Sequence, residues 1–271
     1  MLSPKLVSGP FNHMRQCRHG FMLYNCNDVY IGRSLDLYGE WSEGEIAIFR
    51  QIIRPGDIAI DAGANIGSHT VYLAQALGPL GRVYAFEPQR IVFQTLCANV
   101  ALNSITNAFC YHAALGSQRG TVNVPALDYS RSNNFGGLSL DVNMAGETVE
   151  VVTLDSFQLP SCRLLKIDVE GMELNVLKGA VELIDKYKPC LYVENDRPQQ
   201  AHALTTFIES LGYQMYWHLP PIYSPENYFQ NPQNVFANTV SGNLICVHPS
   251  WNLTLQGFQR TYPGERSPFG G

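Results

Sequence analysis

Acids that stand at the ends of apolar runs are the residues of this chain best placed to do chemistry. Asp168 follows Leu164-Leu165-Lys166-Ile167, and Glu194 with Asn195 follows Cys190-Leu191-Tyr192-Val193. If both runs are neighbouring parallel strands, the three side chains meet at the carboxyl edge of the sheet, where open α/β sheets hold their ligands. Asp168 and Glu194 could there take a proton from an alcohol as general bases. An acid after a strand also caps the next helix, so a purely structural role competes. His69, just past the glycines of an earlier turn, either covers a ligand or is an ordinary helix-start histidine. Glu173 is explained by the helix dipole alone, and Glu170 stays open between the two roles.

A second constellation lies upstream, in Asp57-Ile-Ala-Ile-Asp-Ala-Gly-Ala-Asn-Ile-Gly-Ser-His-Thr70. Ile58 and Ile60 read as a short strand, and Ile66, Val71, Leu73 and Leu77 resume at helical spacing. Asp61, Gly63, Asn65 and Gly67 therefore occupy a sharp strand-to-helix turn. Gly63 and Gly67 let backbone approach a ligand, and the free amides of the helix start suit a negatively charged group. Glu87 ends the next strand, Arg82-Val83-Tyr84-Ala85-Phe86, where an acid suits a ribose diol. The full G-x-G-x-x-G pattern is missing, because Asn65 and Ser68 stand where a dinucleotide fold places glycines. A ligand with a nucleoside at one end and an amino acid at the other fits this turn better than a pyrophosphate. S-adenosylmethionine is such a ligand.

The elements that must position these groups follow from periodicity. Phe21 to Tyr24 and Asp28 to Gly32 read as short strands of a small N-terminal β element, residues 1–42. Glu43 to Ile53 is an amphipathic helix with Ser42 as N-cap, and it opens the main domain, residues 43–248. Strands then alternate with helices (Ile91 to Leu102, Met172 to Ile184, Gln199 to Leu211), which implies a doubly wound, mostly parallel sheet. Residues 117–146 interrupt the pattern as a turn-rich insertion. Residues 129–138 and 220–230, with Tyr223 and Tyr228, are the expected walls of an acceptor site. Residues 249–271 read as a flexible tail.

Composition narrows the classes. The 271 residues suit one α/β domain with additions, and a net charge of −5 without a lysine-arginine run argues against nucleic acid as a partner. Seven cysteines without a C-x-x-C pair read as reduced core thiols. No run approaches a membrane span and the start has no apolar signal core, so the expectation is a cytoplasmic protein without membrane insertion. No feature sets an oligomeric state.

Taken together, Asp28-Val29-Tyr30-Ile31-Gly32, Leu37-Tyr38-Gly39-Glu40-Trp41, Asp61 to Gly67 with His69-Thr70, Phe86-Glu87-Pro88, Asn99 to Asn103, and Leu165-Lys166-Ile167-Asp168-Val169-Glu170-Gly171 resemble the FkbM family of S-adenosylmethionine-dependent methyltransferases. The likeness covers residues 21–250. It implies a Rossmann-like class I methyltransferase fold, with a seven-stranded sheet and an antiparallel last strand. It also implies O-methylation of hydroxyls on sugars or polyketide-like metabolites. Pro220 to Tyr228 with Ser241 to Leu244 looks like the version of the family associated with glycan modification. By position alone, Asp168, Glu194 and Asn195 resemble the magnesium site of catechol-type O-methyltransferases, although Glu194 replaces an Asp and Gly171 stands where a lysine is expected.

The resulting expectation is methyl transfer from S-adenosylmethionine to a hydroxyl of a saccharide, glycoconjugate or similar small metabolite. Asp61, Gly63, Asn65, Gly67, Glu87 and Asp168 are expected at the cofactor, and Asp168, Glu194 and His69 in catalysis. N-methylation of a small amine and a nicotinamide-dependent oxidoreductase are the alternative readings.

Overall fold

The structure is a computed structural model that describes residues 5–139, 145–252, 255–265 and 268–269. The chain begins with an antiparallel meander of β1 (Val7–Ser8), β2 (Asn12–Cys17) and β3 (Gly20–Asn25). Where a strand was expected at 28–32, the chain instead enters helix α1 (Ile31–Tyr38). The cause is Asp28, whose carboxylate accepts the amides of Tyr30 (3.0 Å) and Gly32 (3.2 Å), satisfying donors that a helix start leaves open. Helix α2 (Glu43–Ile52) follows, and its Ile46, Phe49 and Ile52 are buried at helical spacing.

Next come β4 (Ile58–Ala62), α3 (Ser68–Leu77), β5 (Arg82–Phe86), α4 (Arg90–Leu102) and β6 (Ala108–Tyr111). The apolar run over 107–115 does not form one strand. Ala114–Leu115 (β7) leaves the main sheet and joins β8 (Gly120–Pro125) and β9 (Gly146–Val152) in a side sheet ordered β7-β9-β8. Residues 140–144 of the insertion lie outside the described residues.

Strand β10 (Leu164–Ile167) returns to the main sheet. The helix expected over 172–184 is two, α5 (Glu173–Lys178) and α6 (Val181–Tyr187). They are broken at Gly179, where a Cβ would lie 2.0 Å from the Gly116 carbonyl. The chain continues through β11 (Cys190–Glu194), α7 (Pro198–Ser210), β12 (Gln214–His218), β13 (Asn243–Val247) and β14 (Arg260–Thr261).

The main sheet runs β14-β12-β13-β11-β10-β4-β5-β6. β4, β5, β6, β10 and β11 are parallel, and β13 is antiparallel to both of its neighbours. Among the described residues it has eight strands rather than the expected seven, the addition being the edge strand β14. That strand comes from the segment expected to hang loose, which instead docks: Leu255 and Phe258 pack on the core and Thr261 is buried. β4 is buried at every position, because helices cover both faces of the sheet.

One apolar layer joins Phe86, Ile167, Leu177 and Ile208 beneath α5 to α7, and the other joins Phe49, Leu73 and Tyr192 beneath α2 and α3. Asn99 of α4 clamps the meander onto this core. Its side chain accepts the Leu23 amide (2.6 Å) and donates to the carbonyls of Leu23 (3.0 Å) and Ile66 (2.8 Å). All seven cysteines are free thiols. Among the described residues no helix is long and apolar enough to cross a membrane.

Candidate functional site

The strand order reverses between β4 and β10, and a crevice at the carboxyl ends of the strands follows from that reversal. A cavity of about 420 Å³ opens there. Its floor is the turn after β4. Gly63 has φ +76°, and a Cβ on it would lie 1.7 Å from the Asp168 carbonyl, so the ends of β4 and β10 can abut only at glycine. Gly67, φ +87°, sits behind the cavity, where a Cβ would meet Leu96 of α4 at 2.6 Å. Its role is therefore helix packing. Asn65, itself at φ +49°, lines the cavity and sends its amide to Glu87 Oε2 (3.0 Å).

Glu87 also accepts the Gln89 amide at Oε1 (2.8 Å), which fixes its carboxylate from both sides while leaving lone pairs toward the cavity. Burial pushes its pKa up to about 7. Asp61 is fully buried and does not line the cavity: it accepts the Thr70 hydroxyl (2.7 Å) and pairs with the Lys166 ammonium (3.0 Å). Burial works against its charge, but Lys166, His69 and the Thr70 hydroxyl together outweigh burial and hold the pKa below the usual value. Lys166 also donates to the Gly63 carbonyl (3.2 Å) and lies 3.5 Å from Asp168. Burial likewise opposes its charge, yet Asp61, Asp168 and Glu45 together raise its pKa. One buried ammonium thus ties the glycine turn to the end of β10.

The other half of the cavity is acidic. Carboxylate oxygens of Asp168, Glu170 and Glu194 lie within 4.8 Å of one another. Glu194 Oε2 is buried without a hydrogen-bond partner, and burial together with Asp168 and Glu170 drives its pKa well above the carboxylate range. Glu170, at φ +57°, is clasped by the Arg197 guanidinium at both its carboxylate and its carbonyl; burial and Asp168 push its pKa up to about 8.

Asn195, expected beside Asp168 and Glu194, is not there. Successive strand residues point to opposite faces, so Asn195 turns away from the cavity that Glu194 lines, and its amide bonds the Gly242 carbonyl (2.7 Å). Glu170 stands in its place. Three carboxylates at this spacing suit a hard divalent cation, with Arg197 already balancing part of the charge.

His69 lines the cavity at 6 % exposure, edge-on to Phe49, with Nε2 unpartnered and 3.8 Å from Glu45 Oε2. Burial and Lys166 lower its pKa to about 3, so the ring is neutral. Glu45, held by Asn243 (3.2 Å), is raised to about 7 by burial and by Asp168. His112 and His218 are satisfied away from the site, against the Pro88 carbonyl (3.0 Å) and the Tyr192 hydroxyl (2.8 Å). Glu173 accepts the amides of Val169 (3.3 Å) and Gly171 (2.8 Å), a structural cap.

The rim comes from Tyr30, Ile31 and Trp41 of the N-terminal part, from Gly136 to Leu138, and from Ile222 and Thr239 to Gly242. Of the expected walls, the first contributes and the second does so only through Ile222. Tyr223 packs on Tyr38, and Tyr228 is 43 % exposed beneath Arg18. Sequence reasoning gave no role to Lys166 or Glu45. Lys166 carried a signal, being the lone charge inside a buried run, where lysine is rare. Glu45 carried none, since an acid in the first turn of a helix is ordinary.

A family model, the methyltransferase FkbM domain, matches residues 61–215, from Asp61 to the start of β12. The chain is 30% identical over 142 residues to Methyltransferase 1 of Beauveria bassiana, covering 44% of this chain and 57% of that protein. It is 28% identical over 165 residues to the hexuronic acid methyltransferase AglP of Haloferax volcanii, covering 55% and 59%. The matches therefore span less than two thirds of these relatives' own length. Among solved structures it is similar to methyltransferase FkbM from Methylobacillus flagellatus, with TM-score 0.48 and 21% identity over 74% of this chain and 50% of that one. The family match takes in more than half of the chain and contains the glycine turn, Glu87, Lys166, Asp168 and Glu194, and on that match the chain belongs to the FkbM methyltransferase family.

Proposed function

We propose that the protein transfers the methyl group of S-adenosylmethionine to a hydroxyl of a saccharide or glycoconjugate. The observation that carries the reading is the acidity of the cavity: among the described residues its lining holds Glu45, Glu87, Asp168, Glu170, Glu194 and Asp196 against Lys166 alone, and the raised pKa values of Glu45, Glu87, Glu170 and Glu194 mark groups that an entering cation would help to ionise and an entering anion would not. A sulfonium cofactor brings positive charge into such a field, whereas the pyrophosphate of a nicotinamide dinucleotide brings negative charge into it. The same field opposes a polyanionic acceptor such as nucleic acid. The saccharide class is supported by the hexuronic acid methyltransferase among the relatives.

In this reading the cofactor ribose meets the free lone pairs of Glu87, and its amino-acid end lies over Gly63 and Asn65. Transfer breaks the carbon–sulfur bond and forms a carbon–oxygen bond along one line, so placement supplies much of the rate. The hydroxyl proton must leave as the bond forms. Asp168, 39% exposed at the cavity and anchored by Lys166, is the acceptor for that proton, and general bases of this kind contribute about 10² to 10⁴-fold. A divalent cation, if bound, would be held by Asp168, Glu170 and Glu194 and would stabilise the alkoxide.

Titration with S-adenosylhomocysteine and with NAD tests the cofactor. The homocysteine nucleoside should bind and NAD should not. Glu87→Ala should weaken that binding by about 1.5 to 3 kcal/mol, roughly tenfold to a hundredfold, and unchanged affinity would remove Glu87 from the assignment.

A further inference from the structure

The cavity offers nothing to balance an acidic acceptor. Lys166 spends its ammonium on Asp61, the Gly63 carbonyl and Asp168. Arg197, just outside the lining, is taken up by Glu170 and by Ser139 (3.0 Å). His69 lines the cavity as a neutral ring. Three buried polar atoms of the lining have no hydrogen-bond partner: Oγ of Ser68, Nε2 of His69, whose side chain is 6% exposed, and Oε2 of Glu194. Each can serve a ligand that donates hydrogen bonds, and Glu194, whose ionisation burial, Asp168 and Glu170 oppose, gains most from one that is also positive. The cofactor's single net positive charge does not offset the acids that line the site.

Resting on the methyltransferase reading, we propose that the acceptor is an amine-bearing sugar, whose protonated amine sits among Asp168, Glu170 and Glu194 beside the hydroxyl that receives the methyl group. A protonated amine has no lone pair, so the methyl goes to oxygen, the hydroxyl proton passes to Asp168, and the ammonium stays as it entered. His69 Nε2 takes a hydrogen bond from a further sugar hydroxyl. The proposal separates this chain from a relative named for a hexuronic acid, whose carboxylate would find no free cation among the described residues here.

The test is calorimetry on the full chain saturated with S-adenosylhomocysteine, in the presence of a chelator, with the methyl glycosides of glucosamine, glucose and glucuronic acid as probes. The expected order is glucosaminide tightest by about tenfold over the glucoside, with the glucuronide weakest. In Glu194→Gln the advantage of the glucosaminide over the glucoside should shrink to about twofold. Equal or weaker binding of the glucosaminide, tightest binding of the glucuronide, or glucosaminide binding that appears only when Mg²⁺ replaces the chelator would each overturn the proposal. Failure of S-adenosylhomocysteine itself to bind would overturn the underlying reading instead, and the first titration reports that separately.

Discussion

The two halves of the cavity differ in how completely their polar groups are paired. Around the turn from β4 to α3, Glu87 accepts two backbone amides and Asp61 holds both Thr70 and Lys166, so the groups are fixed before any ligand arrives. On the side facing α2, Glu194 Oε2 at the end of β11 and Ser68 Oγ and His69 Nε2 at the start of α3 are buried without partners, and three carboxylates crowd together. An unpaired buried polar group costs about 1 to 3 kcal/mol, which a ligand can return on binding. The first half is thus a rigid mould. The second is a source of binding energy held in reserve at the expense of stability.

Lys166 is where the two halves meet, so breaking it should have the largest effect. Lys166→Met leaves Asp61 as an uncompensated buried charge, and loss of one partner from a buried pair costs about 3 to 5 kcal/mol. Urea unfolding should show a loss of that size. Adding Asp61→Asn to the variant should restore part of it, because the stranded charge is gone. An unchanged midpoint in the single variant would mean that the halves are not coupled through this ammonium.

Glu45 sharpens the contrast through pH. Its folded pKa of about 7 stands above the 4.5 of the unfolded group, owing to burial and then Asp168. Between those values the unfolded chain has released the proton while the folded protein keeps it. The stability Glu45 contributes is therefore full below pH 4.5 and lost as pH rises through 7. Glu45→Gln has no such loss. The difference between variant and wild type should move in favour of the variant by roughly 3 kcal/mol between acid and mildly alkaline pH, measured by denaturant unfolding at each pH. A difference that does not change with pH would show that Glu45 is not held protonated in the fold.

The same division decides what the sequence made legible. The β4 turn is local: Asp61, Gly63 and Gly67 lie within one strand-turn-helix unit, and Glu87 ends the strand that pairs with it in parallel register. Periodicity and glycine spacing therefore located that half, and the parallel pairing of the core strands followed from the alternation of strands and helices. The other half is assembled from α2, α3, β10, β11 and the segment before β13, whose contacts span most of the chain. Asp168 and Glu194 could be read as strand ends, but which neighbour joins them could not. Asn195 lost that place to Glu170 because strand alternation turns it away, while a left-handed backbone at Glu170 brings the latter in. Glu45 reaches the site only through the packing of α2 on α3. Strand β14 escaped notice because two residues in a polar tail carry no period.

The smallest expected effects concern two neighbours on the loop before β13. Ile222 lines the cavity, whereas Tyr228 projects outward, 43 % exposed, with its ring under the Arg18 guanidinium at 5.8 Å. Truncating an aliphatic side chain that touches a ligand removes about 0.8 kcal/mol per buried methylene, so Ile222→Ala should cost 1 to 2 kcal/mol, about tenfold in acceptor kcat/KM. Tyr228→Ala loses an exposed cation–π contact of about 0.5 to 1 kcal/mol, and it should register in thermal stability while kcat/KM moves less than about twofold. Measuring both quantities for both variants separates the rim that meets the ligand from the strap that holds the rim. The opposite result, a large kinetic loss in Tyr228→Ala with Ile222→Ala silent, would mean that the loop turns over when acceptor binds and that the aromatic wall expected from the sequence forms only then.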